Sequence, residues 1–248
     1  MSVVSLRWEG PVAVVTMADE DRRNTFGPEL SEGLVSTVDQ AVADPSTRVL
    51  LVEGMPSLFC AGGSQNELLN FARGRGTFDT DDFFRVFARC PLPVVAAVQG
   101  HAIGGGLVLA LYADMLVLSE RSVYAANFMR YGFTPGMGAT HLLPAKFGAV
   151  LGTEMLYSGR NYRGAELRDR GVPARVVKHT DVPAVAHELA AAVAQAPRAS
   201  LELLKKELAA PLIERTDPVI ASEVEMHRVS FHLPEVTERI TAAYGGAR

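Results

Sequence analysis

A strand that runs straight into a glycine cluster constrains this chain more than any other feature. Val94 to Val98 is apolar at every position, Gln99-Gly100-His101-Ala102-Ile103-Gly104-Gly105-Gly106 follows, and an apolar helix then runs through Ala113. Glycines at such a junction let a small group approach the backbone, and a helix start leaves N–H groups without intrahelical partners. Donors of that kind suit a developing negative charge, as in an oxyanion hole. Two other glycine-rich sites do not fit. The spacing G-x-x-x-G-G-G is not the dinucleotide turn G-x-G-x-x-G, and Leu107-Val108 stand where a Walker loop needs Lys and Ser or Thr. A glycine turn that merely lets a helix pack closely on a strand is the plain alternative, and this stretch alone leaves both open.

Composition sets the outer bounds. A chain of 248 residues, 48% hydrophobic and 21% charged, fits one large domain with a real core. A net charge of −4 offers no basic face for nucleic acid. The two cysteines, Cys60 and Cys90, make no disulfide framework and fit a reducing cytoplasm. Met1 to Gly10 alternates and carries Arg7 and Glu9, so it reads as a strand rather than a leader. The longest apolar run, Ala102 to Ala113, stops at Asp114 and is too short for a bilayer. The expectation is a soluble cytoplasmic protein without a membrane partner.

Val3 to Leu6 and Val12 to Met17 flank Glu9-Gly10-Pro11 and read as a hairpin. Leu30, Leu34, Val38, Ala41 and Val42 share one face of a helix starting near Pro28. Val49 to Val52 and Met115 to Leu118 read as buried strands, with a short one near Arg175 to Val177. Strands alternating with helices predict an α/β architecture. From about Val182 the chain reads as helical, broken at Pro197, Pro211, Pro218 and Pro234. The organisation is therefore a β/α core over 1–181 and a helical region over 182–248, with no internal sequence repeat.

Three stretches, Phe59-Cys60-Ala61-Gly62-Gly63-Ser64, Pro93 through Gly106, and Gly132-Phe133-Thr134-Pro135-Gly136, together resemble the crotonase (enoyl-CoA hydratase/isomerase) superfamily. The resemblance implies a spiral of ββα turns, a C-terminal helical region that forms a homotrimer, and a thioester substrate. It puts the two oxyanion donors on the backbone amides of Gly63 and Gly105. The two glutamates of hydratases in this superfamily fall on Val108 and Phe128, neither of which can activate water or move a proton. The segment Tyr124 to Thr140, with Tyr162 to Leu167, Arg170 to Pro173 and Met226-His227, is similar to the decarboxylating crotonases of polyketide β-branching cassettes. That likeness implies decarboxylation of a 3-methylglutaconyl-type thioester on an acyl carrier protein. It implies no metal and no cofactor beyond the phosphopantetheine that arrives with the substrate.

The chemistry fits those residues. Decarboxylation leaves a dienolate whose charge reaches the thioester oxygen, and two preorganised amides aimed there lower the barrier by roughly 3 kcal/mol each. Val108 and Phe128 would then form an apolar wall around the substrate carboxylate. Ile220, Val224, His227 and Phe231 fall in one helical stripe, so His227 points inward while His232 points to the surface. His227 is either the proton donor, as the resemblance implies, or a core histidine satisfied by a backbone carbonyl. Related decarboxylases place a lysine where Thr77 stands, which leaves Arg73 and Arg75 to anchor the departing carboxylate or to lie in a solvated loop. Cys60 and His101 read as structural, and Tyr124 and Tyr131 as wall. Arg22, Arg23, Lys205 and Lys206 are either phosphate contacts or solvated charges. A double-bond isomerase and a non-catalytic docking module for a carrier protein remain as alternatives.

Overall fold

The computed structural model describes residues 2–75 and 83–245, so Thr77 lies outside the described residues. Its strands are β1 (Val4–Glu9), β2 (Val12–Met17), β3 (Val49–Glu53), β4 (Leu58–Cys60), β5 (Val94–Val98), β6 (His101–Ile103), β7 (Met115–Ser119), β8 (Val123–Ala125), β9 (Tyr162–Arg163) and β10 (Arg175–Val177). Its helices are α1 (Pro28–Ala43), α2 (Gln65–Ala72), α3 (Val86–Arg89), α4 (Gly105–Leu111), α5 (Phe128–Tyr131), α6 (Ala139–Phe147), α7 (Ala149–Ser158), α8 (Gly164–Asp169), α9 (Val182–Val193), α10 (Arg198–Ser230) and α11 (Pro234–Gly245).

β1 and β2 form the expected hairpin, with Val4 opposite Met17 and Glu9 opposite Val12. One sheet runs β1-β2-β3-β5-β7-β10, parallel at every pairing after the hairpin, and a smaller one runs β4-β6-β8-β9. The chain winds by giving one strand to each sheet and then a helix: β3-β4-α2, β5-β6-α4, β7-β8-α5. This is a structural repeat that the sequence does not display. β4, β6 and β8 are three residues long, too short for a periodic signal. β6 in particular lies inside the glycine cluster, where the sequence suggested a direct passage from strand to helix.

Parallel strands buried on both faces divide their residues between two interiors. Val49, Leu51, Val95, Ala97 and Val117 face α9, while Leu50, Val52, Val94, Ala96 and Val98 face the spiral's centre. α9 lies close on the sheet because Val182, Ala186, Ala190 and Ala194 recur every four residues and three of them are alanine. The region from 182 onward is thus not set apart from the core, since its first helix is a layer of that core.

The expected breaks at Pro211 and Pro218 do not occur: α10 runs unbroken from Arg198 to Ser230 with both prolines inside it. Pro197 caps α10 and Pro234 opens α11, so those two do mark boundaries. Each internal proline removes one N–H and disfavours helix, but burial outweighs it here. Leu201, Lys205, Ala209, Thr216, Glu223, His227 and Ser230 form a buried stripe that crosses both positions.

Lys205 is not a free surface charge. Its ammonium reaches both oxygens of Asp114 at 2.8 and 2.7 Å and the Phe87 carbonyl at 2.9 Å, and its side chain is 3% exposed. This pair fastens α10 to the end of α4 and to α3. Removing the lysine leaves Asp114, a quarter exposed and still accepting the Val94 amide, without its counter-charge, at a cost of about 2 kcal/mol. Lys205→Ala should lower the free energy of unfolding by about that amount, measured by urea denaturation.

Candidate active site

Two backbone turns meet at van der Waals distance beside a cavity. Gly62 has φ +76, and a Cβ there would stand 2.7 Å from the Ile103 carbonyl and 2.9 Å from the Gly105 amide. The turn is held from outside by Asn24, whose side-chain amide donates to the carbonyls of Met17 at 3.0 Å and Phe59 at 2.9 Å. The Phe26 amide donates to the Gly62 carbonyl at 2.8 Å. Gly63, Gly104 and Gly105 line the adjacent cavity of about 330 Å³. Gly63 and Gly105 stand forty-odd positions apart along the chain, and the fold brings both to this cavity.

The rest of that cavity is largely apolar, with Phe26, Phe71, Phe84, Phe128, Phe133 and Met137 among its walls. His227 opens into it from α10. The ring donates Nε2–H to the Thr134 carbonyl at 2.8 Å and stands edge-on to Phe231, which stacks on Phe133 at 4.3 Å. His227 is thus bonded to a backbone carbonyl, as the core reading has it, and it also lines the cavity. Gly136 makes room for the ring, because a Cβ there would lie 2.3 Å from His227 Cε1. Burial lowers the His227 pKa, against hydrogen bonds to the Thr134 and Pro135 backbone that raise it.

Other expected residues fall elsewhere. Val108, on α4, is fully buried in the core and is not among the residues lining the cavity, whereas Phe128 lines it. Arg73 and Arg75 follow α2 with exposed side chains and do not line the cavity. Tyr131 is a wall residue, but Tyr124 is not. Its hydroxyl lies in the core, donating to the Val98 carbonyl at 2.9 Å and accepting the Ser119 amide at 2.7 Å. His101 Nδ1 accepts the Val123 amide at 3.0 Å, a structural role. Cys60 donates to the Asn24 carbonyl, and burial pushes its thiol up to about 12, so it is no nucleophile. Asp114 is committed to Lys205, and Glu154 to Arg170 and Tyr162, which hold Glu154 at about 2. Arg22 pairs with Glu29.

Sequence reasoning missed two carboxylates. Glu67 lines the cavity, with Oε2 taken by the amide and hydroxyl of Ser64 at 2.9 and 2.8 Å. The pattern Ser64-Gln65-Asn66-Glu67 is a capping box and was legible as one. Glu223 lies one turn before His227 and is bonded to Gly138 and Thr140. Its signal was its place in the same inward stripe. Among the described residues no group of three or more His, Cys, Asp or Glu could hold a metal ion, and no helix is long and apolar enough to cross a membrane.

Comparison with known proteins matches residues 7–244 to the enoyl-CoA hydratase/isomerase family model. The chain belongs to that family. The bacillaene synthase decarboxylase PksI of Bacillus subtilis (strain 168) is 42% identical over 245 residues, 98% of each chain. The probable enoyl-CoA hydratase EchA14 of Mycobacterium tuberculosis is 31% identical over 246 residues, 94% of this chain and 93% of that one. A structure from a dehydratase/decarboxylase enzyme couple involved in polyketide β-branching superimposes with TM-score 0.95 at 42% identity, covering 99% of this chain and all of that one. The ECH2 decarboxylase domain of CurF from Lyngbya majuscula gives TM-score 0.94 at 40% identity, with 98% and 100% covered. The ββα spiral is the crotonase fold of this family.

The buried imidazole has a consequence for stability. Its pKa lies below the ordinary 6.5, whereas an unfolded histidine titrates near about 6.5. Its contribution is therefore fully present above that pH and declines as pH falls through the lowered folded-state value. Glu223, whose pKa burial raises, works in the opposite sense on acidification. Between about pH 7 and about pH 5, wild type should lose more unfolding free energy than His227→Gln, which lacks the His227 contribution and keeps those of Glu223 and of His101 and His179, whose pKa values burial also lowers. Urea denaturation at the two pH values measures the difference.

Proposed function

We propose that this chain decarboxylates a 3-methylglutaconyl-type thioester on an acyl carrier protein, giving a 3-methylcrotonyl-type thioester in polyketide β-branching. One observation carries the reading. Gly63, Gly105 and His227 line one apolar cavity, while the hydratase glutamate positions are held by Val108 and Phe128. Glu67, the carboxylate among the described lining residues, is tied to Ser64. The likeness to decarboxylases of polyketide β-branching over nearly the whole chain supports the same conclusion.

In the reaction the bond between the γ-carbon and the carboxylate breaks. Carbon dioxide leaves, and the electron pair spreads through the dienolate to the thioester oxygen. The amides of Gly63 and Gly105 stabilise that oxygen by roughly 3 kcal/mol per donor. His227, entering this step as the imidazolium with Nε2–H on the Thr134 carbonyl, delivers its Nδ1 proton to the terminal carbon and is left neutral. The thioester is itself the electron sink, so the chemistry calls for no further cofactor, and the phosphopantetheine arm arrives with the substrate. Phe128 and the neighbouring aromatic rings keep water from the substrate carboxylate.

The partner is the acyl carrier protein, and the assembly a homotrimer that covers exposed apolar side chains such as Leu203, Leu204 and Leu208 of α10 and Tyr157 of α7. The free, buried cysteines Cys60 and Cys90 support a cytoplasmic setting.

The intact mass of carrier protein loaded with the 3-methylglutaconyl group should fall by one carbon dioxide on incubation with the protein. His227→Ala should lower kcat by about a hundredfold, within the range for loss of a general acid, while carrier-protein binding is unchanged. An unchanged mass with wild type, where an authentic cassette decarboxylase works, would leave the isomerase or docking-module reading.

A further inference from the structure

Glu223 takes no part in that chemistry, yet it is 1% exposed on the inner face of α10. A buried carboxylate is tolerated only when its oxygens are hydrogen-bonded. Here both are. Oε2 accepts the Gly138 amide at 2.6 Å, and Oε1 accepts the Thr140 amide at 2.8 Å and its hydroxyl at 2.6 Å. These amides belong to the first turn of α6, whose N-cap, Gly138, has no side chain to offer. The neighbouring amides are satisfied locally: Ala139 donates to the Gly136 carbonyl, and His141 and Leu142 to that of Gly138. A side chain more than eighty positions away thus supplies the cap that α6 lacks.

What lies between the anchors gives the cap its importance. Glu223, His227 and Ser230 stand on successive turns of α10. Ser230 accepts the Thr134 amide at 3.1 Å, and His227 donates to the Thr134 carbonyl. The strap from Thr134 to Thr140 is therefore fastened to α10 at one end by Ser230 and His227 and at the other by Glu223. Between those ends lie Gly136, against which the imidazole packs, and Met137, which walls the cavity. Met137 has φ +64, a conformation unfavourable for a residue with a Cβ. The Tyr112 hydroxyl, donating to its carbonyl at 2.8 Å, and Glu223 on the next amide hold it there.

We propose that Glu223 is a positioning residue for the reaction: it pins the Gly138–Thr140 end of the strap to α10 and so fixes where the His227 ring stands in the cavity. The kinetic consequence rests on the decarboxylase reading, and the structural one does not.

The test compares full-length Glu223→Ala, Glu223→Gln and Thr140→Val with wild type. Turnover is followed on the loaded carrier protein, and the His227 ring is followed by ¹⁵N–¹H spectra, its signals assigned by their loss in His227→Gln. Glutamine keeps one acceptor oxygen, so it can serve one of the two amides but not both. Misplacing a catalytic group by a fraction of an ångström to an ångström costs up to about a hundredfold. Glu223→Ala should therefore lose about a hundredfold and Glu223→Gln about tenfold in kcat, with KM within about twofold. The His227 signals should move in both. Folded variants with wild-type kcat and unmoved ring signals would overturn the proposal, as would a raised KM with kcat unchanged. If the Glu223 variants do not fold, Thr140→Val decides, with a shifted ring and lowered kcat expected and an unmoved ring contrary to it. Should wild type itself release no carbon dioxide, the decarboxylase reading fails, and the ring spectrum alone still tells whether Glu223 places His227.

Discussion

Two stretches of backbone can touch only where no Cβ stands between them, and the site is built around one such contact. Gly62 rests against the first amide of α4, with Ile103, Gly105 and Gly106 all inside the space a side chain would need. That approach brings the turn carrying Gly63 against the start of α4. Several other features serve it. The spiral pairs β4 with β6, Cys60 opposite Ala102, and Asn24 and Cys60 tie the preceding loop to the same turn. The cavity beside it is walled largely by apolar side chains, and in such surroundings a hydrogen bond to an anion is worth more than in bulk water.

The second half of the site comes from the opposite end of the chain. α10 brings His227 to the cavity through a set of buried polar anchors: Lys205 on Asp114, Glu223 on the α6 terminus, Ser230 on Thr134. Buried charges contribute little net stability compared with well-packed apolar groups, but they are costly when mispaired, so they favour one docking of the helix over neighbouring ones. A helix of 33 residues carrying two prolines needs such fixed points, since its interior hydrogen bonding is interrupted.

Much of this architecture is legible in the order of the residues. The strand runs, the hairpin, the helix from Pro28, the glycine junction and the inward stripe through His227 all follow from local rules of periodicity and backbone sterics. The second sheet is not legible, because strands of two or three residues carry no period. Nor is the continuity of α10, because proline's local preference opposes a stripe of buried residues whose partners lie on α3 and α6.

Residue order alone offers the candidates: a glycine cluster at a helix start, a histidine on an inward stripe and, by resemblance to the family, apolar residues where hydratases carry glutamates. Their chemistry is a property of residue type and needs no fold. Which of them meet is a matter of the folded chain. Val108 is two residues beyond the glycine cluster, but its side chain is buried in the core on α4, while His227 and Glu67 reach the cavity from distant segments. Lys205 looks like a surface charge in sequence and is a buried anchor in the fold. The reason is that side-chain direction follows from local periodicity, whereas the environment a side chain points into is supplied by elements far away in the chain.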